Sequence, residues 1–212
     1  MMSERTEVHR SPHKQNHDPE VAKSIISRAL VAHVAISVDG QPFALPVACA
    51  PFKDELLLHG SNASRLFKAL MDGTPACVTI THVEGLVLAR SSYESSMHYQ
   101  SLMALGSARL ISEGEKRPAL QALTAHLFPQ RPSELRQSTE QEVNATSIVA
   151  FPLNEISVKV SHGQPKDKDF DMDSDIWAGI LPIKVSYGQP IPADNLRPGI
   201  PVPDYIATWV AG

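Results

Sequence analysis

The chain has 212 residues, 42% hydrophobic and 20% charged, which describes a soluble globular protein with one domain of generous size or a domain with extensions. Its 19 Lys and Arg against 23 Asp and Glu leave a formal net charge of −4 with both signs mixed, so nucleic acid is excluded as the main partner. Only Cys49 and Cys77 are present, in apolar segments without zinc or disulfide spacing; the polar N-terminus is no secretory signal and no segment is long and apolar enough to span a membrane, so reduced thiols in the cytoplasm are expected.

Residues 1–17 carry His9, His13 and His17 among polar residues, with Pro12 opposing a helix that would align them. The composition predicts a solvated arm and no metal site. Asp18-Pro19 is a capping residue followed by proline at a first helical position, and Val21, Ile25, Ala29 and Leu30 give a helix an inward stripe until about residue 30. Two strands follow, joined at Asp39-Gly40, with His33 in the first as a wall residue. Glu55 to Leu58 reads as a short buried strand that breaks at His59-Gly60-Ser61-Asn62. A helix then begins, with Ser64 and Arg65 in its first turn and Leu66 and Leu70 facing inward. This polar corner reads two ways. It is a turn capped by Ser61 or Asn62, or an anion site in which free amides, the helix dipole and a basic side chain meet a phosphate.

Strand character returns over 75–90, interrupted at Glu84-Gly85, and over 97–112, where a glycine suits a bulge. Antiparallel strands with short turns imply a barrel or a strongly bent sheet. Leu120, Leu123 and Leu127 mark a helix from Pro118, Thr139 with Glu142 forms a capping box, and residues 147–160 are again strand-like. From Ser161 onward the chain is rich in proline and glycine, which limits regular pairing. Three parts follow: an arm (1–17), a barrel domain (18–160) and an extension (161–212) whose Trp177, Tyr205 and Trp209 need an apolar surface on the barrel or on a partner subunit.

Hydrolase elbows, Walker loops, dinucleotide glycine fingerprints and paired acid motifs are missing, and the acidic run 167–175 does not fit a calcium loop. The remaining chemistry lies in His59 at a strand end, in Tyr99 and Ser101 on one face of a strand with Gln100 opposite, and in Lys159 and His162 closing another strand.

The order of "FALPVACAPF", "LLLHGSNASRLFKAL", "SMHYQSLMALGSARLI" and "TSIVAFPLNEISVKVSHGQPKD" resembles the flavin-binding split-barrel superfamily related to pyridoxamine 5′-phosphate oxidase, and within it the branch of 5-nitroimidazole-resistance-type flavoproteins. The resemblance spans about residues 20–190. It implies a mainly β fold with flanking helices, a six-stranded antiparallel split barrel, and a homodimer holding FMN between subunits. Ala44, Leu45, Pro46 and Val47 would then lie along the isoalloxazine, and His59, Gly60, Ser61, Ser64 and Arg65 along the ribityl phosphate. Tyr99 and Ser101 would add a wall, drawn from either subunit, with Lys159 as a further positive charge.

Three positions depart from the pattern. Gln100 and Ser161 stand where relatives often carry arginine, and Leu66 where pyridoxamine-phosphate oxidases have lysine. The expectation is therefore an FMN-dependent oxidoreductase that reduces a small oxidised compound such as a nitro-aromatic, with His59 as proton donor or substrate anchor. Two alternatives stay open: a flavin carrier or sensor without turnover, and a haem-binding split barrel with His59 or His162 as axial ligand.

Overall fold

A computed structural model describes residues 3–61 and 63–211. In chain order these form β1 (Gln15–Asn16), α1 (Pro19–Ser27), β2 (Val31–Val38), β3 (Gln41–Phe52), β4 (Glu55–Gly60), α2 (Arg65–Met71), β5 (Pro75–Leu88) and β6 (Ser96–Ser107). There follow β7 (Arg109–Leu110), α3 (Glu113–Leu127), α4 (Glu140–Ala145), β8 (Ser147–Pro152), β9 (Ile156–Ser161), β10 (Gly179–Pro182) and α5 (Asp204–Ala211). The sheet order is β1-β9-β6-β5-β2-β3-β4-β8-β7, with β10 added to β5. All of these pairings are antiparallel. This is the mainly β, helix-flanked split-barrel class, with ten strands in the sheet rather than six, partly because β1, β7 and β10 are additions of two to four residues.

Local chemistry explains most boundaries. The Asp18 carboxylate accepts the Glu20 N–H at 2.9 Å and Pro19 opens α1, which ends at Ser27, short of the expected residue 30. Asp39 (φ 51°) and Gly40 (φ 78°) both take the left-handed conformation that a two-residue hairpin turn requires. β4 does not break at His59: His59 and Gly60 pair with Ile148 and Ser147, because β8 supplies a ladder for both. Glu84-Gly85 is a bulge within one long strand, the register shifting between Val83 and Gly85. Gly106 makes no bulge. A Cβ there would stand 2.9 Å from Pro152 Cγ, and beside it the Leu105 N–H donates to the Glu155 carbonyl at 3.0 Å, where β6 meets the β8–β9 turn and the barrel closes.

Alternation along the strands divides the apolar residues between two cores. Val34, Leu56, Leu58, Val78, Leu102, Val149 and Phe151 fill the barrel with Ile25 of α1 and Leu70 of α2. Leu57, Ala50, Ile148 and Ala150 face the other way, under Ala119 and Leu123 of α3. Leu56, Leu57 and Leu58 are therefore all buried, each such side chain contributing at most about 1.5–3 kcal/mol.

Residues 3–16 differ from a solvated arm. Thr6 is buried, Ser3 and Arg5 bond Glu155, and β1 pairs with β9. The backbone edge of β9 binds this segment, a contact that side-chain periodicity does not report. The C-terminal extension adds β10 to β5, runs without regular structure over 183–203 and ends in α5. There the Tyr205 hydroxyl donates to Glu134 (2.9 Å) and accepts from Arg131 (3.1 Å), and the Tyr187 and Tyr205 rings lie 5.8 and 5.4 Å from Trp209. Among the described residues no helix is long and apolar enough to cross a membrane.

Candidate functional site

Register places most of the sequence-derived site on one sheet face. His33 pairs with Pro46 and Thr79, and Thr79 with Met103; two residues along, Val31, Ala48 and His59 form one row, and Thr81, Ser101 and Lys159 another. Period-two alternation therefore turns Ala44, Pro46, His59, Tyr99, Ser101 and Lys159 outward from the barrel. Val47 is paired with Ala32 and its side chain is buried in the core, so only its backbone is available to a ligand.

The first group assembles at the junction of β3, β4 and α2. Ala44, Leu45 and Pro46 are exposed on β3, and His59 is exposed on β4 beside Ala48. The His59 imidazole has no hydrogen-bond partner among the described residues, whereas the rings of His82, His98 and His126 each meet a backbone carbonyl. Gly60 lies under Phe67. The Ser61 hydroxyl accepts the Ala63 N–H at 3.2 Å, and Ser64 caps α2 by accepting the Phe67 N–H at 3.1 Å. The cap is thus Ser64 rather than Ser61; Asn62, the other expected cap, lies outside the described residues.

Arg65 leaves the first turn of α2 with its guanidinium 4.5 Å from the centre of the Phe43 ring, a cation–π contact to a ring that packs against the core. Arg65 and Lys68 line a cleft of 650 Å³ with Ser37, Val38 and Thr74. Asp72 is the carboxylate on its wall. Two cations, a serine and a threonine hydroxyl suit a phosphate group.

Tyr99, Ser101 and Lys159 form a separate group. Ser101 pairs with Lys159, which also pairs with Gln15, and Lys14 Nζ lies 5.5 Å from the Tyr99 ring centre. With β5 and β2 intervening, this wall is three strand spacings from β3, about 14 Å. One chain does not bring it to the Arg65 corner.

A third feature has no sequence motif behind it. His13, Lys14, Tyr93, His98, His162 and Lys166 line a cleft of 540 Å³. The Asp167 side chain, 2% exposed, accepts from the Arg90 backbone N–H (2.6 Å) and guanidinium (2.9 Å) and ties the 164–172 loop to the end of β5. His162 stood out in the sequence as a strand-end cation; its partners come from segments about 65 and 150 residues away, a juxtaposition that spacing cannot show.

No curated protein matches the chain. Among solved structures, the FAD and heme binding protein from Mycobacterium smegmatis is 37% identical, with a TM-score of 0.89 over 93% of this chain and 97% of that one. The flavocytochrome Anf3 from Azotobacter vinelandii is 35% identical, with a TM-score of 0.89 over 98% and 97%. A putative 5-nitroimidazole antibiotic resistance protein from Bacteroides thetaiotaomicron, 24% identical with a TM-score of 0.59 over 69% and 86%, shares the fold. The family model described as pyridoxamine 5′-phosphate oxidase matches residues 18–160, from the cap of α1 to the end of the barrel strands. On that match, which spans the whole outward-facing site, the chain belongs to the pyridoxamine 5′-phosphate oxidase family.

Proposed function

We propose that this chain is a flavin- and haem-binding redox protein that takes electrons from a reduced donor and passes them to a small oxidised molecule, nitro-aromatics included. The observation that carries the haem half is His59: an exposed imidazole without a hydrogen-bond partner among the described residues, set on an open face with exposed Val31 and Pro46. A haem needs an apolar surface and an axial ligand, and a neutral imidazole nitrogen provides the second. Iron ligation thus replaces proton donation as the role of His59. The two neighbours above 30% identity, matched over nearly their full length, support this reading.

The Arg65 corner fits the flavin. Arg65 and Lys68 neutralise a phosphate, the Ser37 and Thr74 hydroxyls border it, and the exposed stretch Ala44 to Pro46 offers backbone groups and a smooth wall for a ring system. The resemblance implies FMN; FAD carries the same isoalloxazine and ribityl phosphate, and the same residues serve it. When bound, the flavin exchanges electrons one or two at a time, and the protein orients its ring and sets its electrostatics.

The working form in this proposal is a homodimer with flavin between subunits. Tyr99, Ser101 and Lys159 lie too far from Arg65 in one chain, and a partner can supply them. Exposed Val185 (97%) and Ile191 (93%) in the extension support contact with that partner. Two free thiols support a reducing, cytoplasmic setting.

The absorption spectrum of freshly purified protein tests the proposal. Flavin bands together with a Soret band are expected. Flavin bands alone remove the haem half, and neither removes the whole. Turnover of a reduced donor with a nitro-aromatic acceptor separates an enzyme from a carrier or sensor.

A further inference from the structure

We propose that the cleft between the start of β6, the end of β9 and the N-terminal arm is a second binding site, built for the adenosine-diphosphate half of a dinucleotide. At 540 Å³ it has the size of small-ligand sites. Its cations are not spoken for: among the described residues neither Lys14 nor Lys166 is ion-paired, and Lys14 touches only the Tyr99 ring among charged and aromatic groups. Glu94 is the carboxylate on the lining; its Oε1 lies 3.2 Å from Lys168 Nζ, an ion pair without a hydrogen bond. Asp167 beneath is taken by Arg90. His13 and His162 add ring N–H groups, so the walls favour an anion with several oxygens.

The site is preorganised. Gly163, at φ +111°, turns the chain sharply after β9 in a conformation that a side chain would strain, and its carbonyl accepts from His98 Nε2 at 2.8 Å. The Arg90–Asp167 bonds hold the following loop, so Lys166 is positioned before any ligand arrives. Tyr93, 89% exposed on the same wall, offers a ring face on which a base can stack. Phosphate recognition beside an unused aromatic face points to a nucleotide rather than a bare anion. Ser161 lines the cleft and pairs with Tyr99, so the site adjoins the second proposed flavin wall.

FAD and reduced nicotinamide dinucleotides share the ADP half, and this inference rests on the flavin reading only for which of them brings it. ADP itself is the first probe, titrated calorimetrically into the purified full chain. Binding is expected, with Lys166→Ala and Tyr93→Ala each weakening it about five- to tenfold while FMN affinity is unchanged. Both are surface positions, and unchanged FMN binding certifies the fold. ADP competition against FAD assigns the cleft to the flavin, and competition against NADH or NADPH on the flavin-loaded protein assigns it to the donor; either supports the proposal. No ADP binding, variants that leave ADP binding unchanged or weaken FMN equally, or inorganic phosphate competing as well as ADP overturns it. ADP binding without retention of FMN or FAD would instead defeat the flavin reading and leave the cleft standing.

Discussion

The Phe67 ring occupies the space that a side chain at residue 60 would need: a Cβ on Gly60 would stand 2.2 Å from Phe67 Cε2. Gly60 thereby lets α2 seat its aromatic residue against the end of β4 and sets where Ser64 and Arg65 emerge. Gly60→Ala is expected to cost about 1–3 kcal/mol by overpacking, read as a lower urea midpoint at unchanged slope. Gly60→Ala/Phe67→Leu should recover part of that loss. A single variant as stable as the parent would show that the ring yields freely.

Arg65 is exposed and tied to the fold through the Phe43 ring, so its removal should change stability by no more than about 1 kcal/mol. Its effect on ligands should be larger and selective. Arg65→Ala is expected to weaken FMN about tenfold or more and riboflavin little, since only FMN presents a phosphate. Equal weakening of the two in fluorescence titrations would place the guanidinium elsewhere.

For His59, the expected signature is spectroscopic. His59→Ala should abolish the Soret band and leave the flavin bands and the melting temperature near those of the parent, because the side chain is exposed. Added imidazole should restore haem absorbance in part. Retention of the Soret band in the variant would pass the ligand role to another histidine.

The two thiols should differ in reactivity. Burial pushes the Cys49 thiol up to about 12, and its sulfur faces the Ala29 carbonyl in the core. Partial burial also raises that of Cys77, which sits on the outer face beside Ala35 and Leu105. At pH 8 an aromatic disulfide reagent should modify Cys77 first and Cys49 only on unfolding. If the outer face is the dimer contact, Cys77 modification should slow as protein concentration rises.

Acid should loosen the edge formed by α4. The Arg136 guanidinium, bonding both Glu142 oxygens at 2.5 and 2.8 Å, and the Thr139 N–H lower the Glu142 carboxyl from 4.5 to about 2. The folded value is the lower one, so this stabilisation is complete above pH 4.5 and disappears as pH falls from 4.5 toward 2. Thermal melts of Glu142→Gln should fall less steeply than the parent across that window. Parallel profiles would mean that the bridge adds nothing to stability.

Residues 55–65 show how far sequence reaches. The run Glu55 to Leu58, the polar break and the Leu66/Leu70 repeat locate a strand and a helix, because side-chain periodicity is a local consequence of backbone geometry. Where the strand stops was not local: His59 and Gly60 remain paired because β8, some 90 residues later, offers them hydrogen bonds. The hairpin turn at Asp39-Gly40 and the Asp18 cap were legible for the same reason, each being a property of adjacent residues.

By itself the sequence determined the alternating apolar faces, the turns, the caps and an order of blocks that marks the family. Tertiary structure alone decided that Val47 points into the core while Pro46 and His59 face out together, and that an arm without periodicity lies along β9. It also gathered His13, Tyr93, His98 and Lys166 around one cleft. Periodicity encodes what each segment does to its own backbone, whereas strand register and edge pairing depend on partners distant in the chain, and the surfaces proposed for cofactor and nucleotide lie where those partners meet.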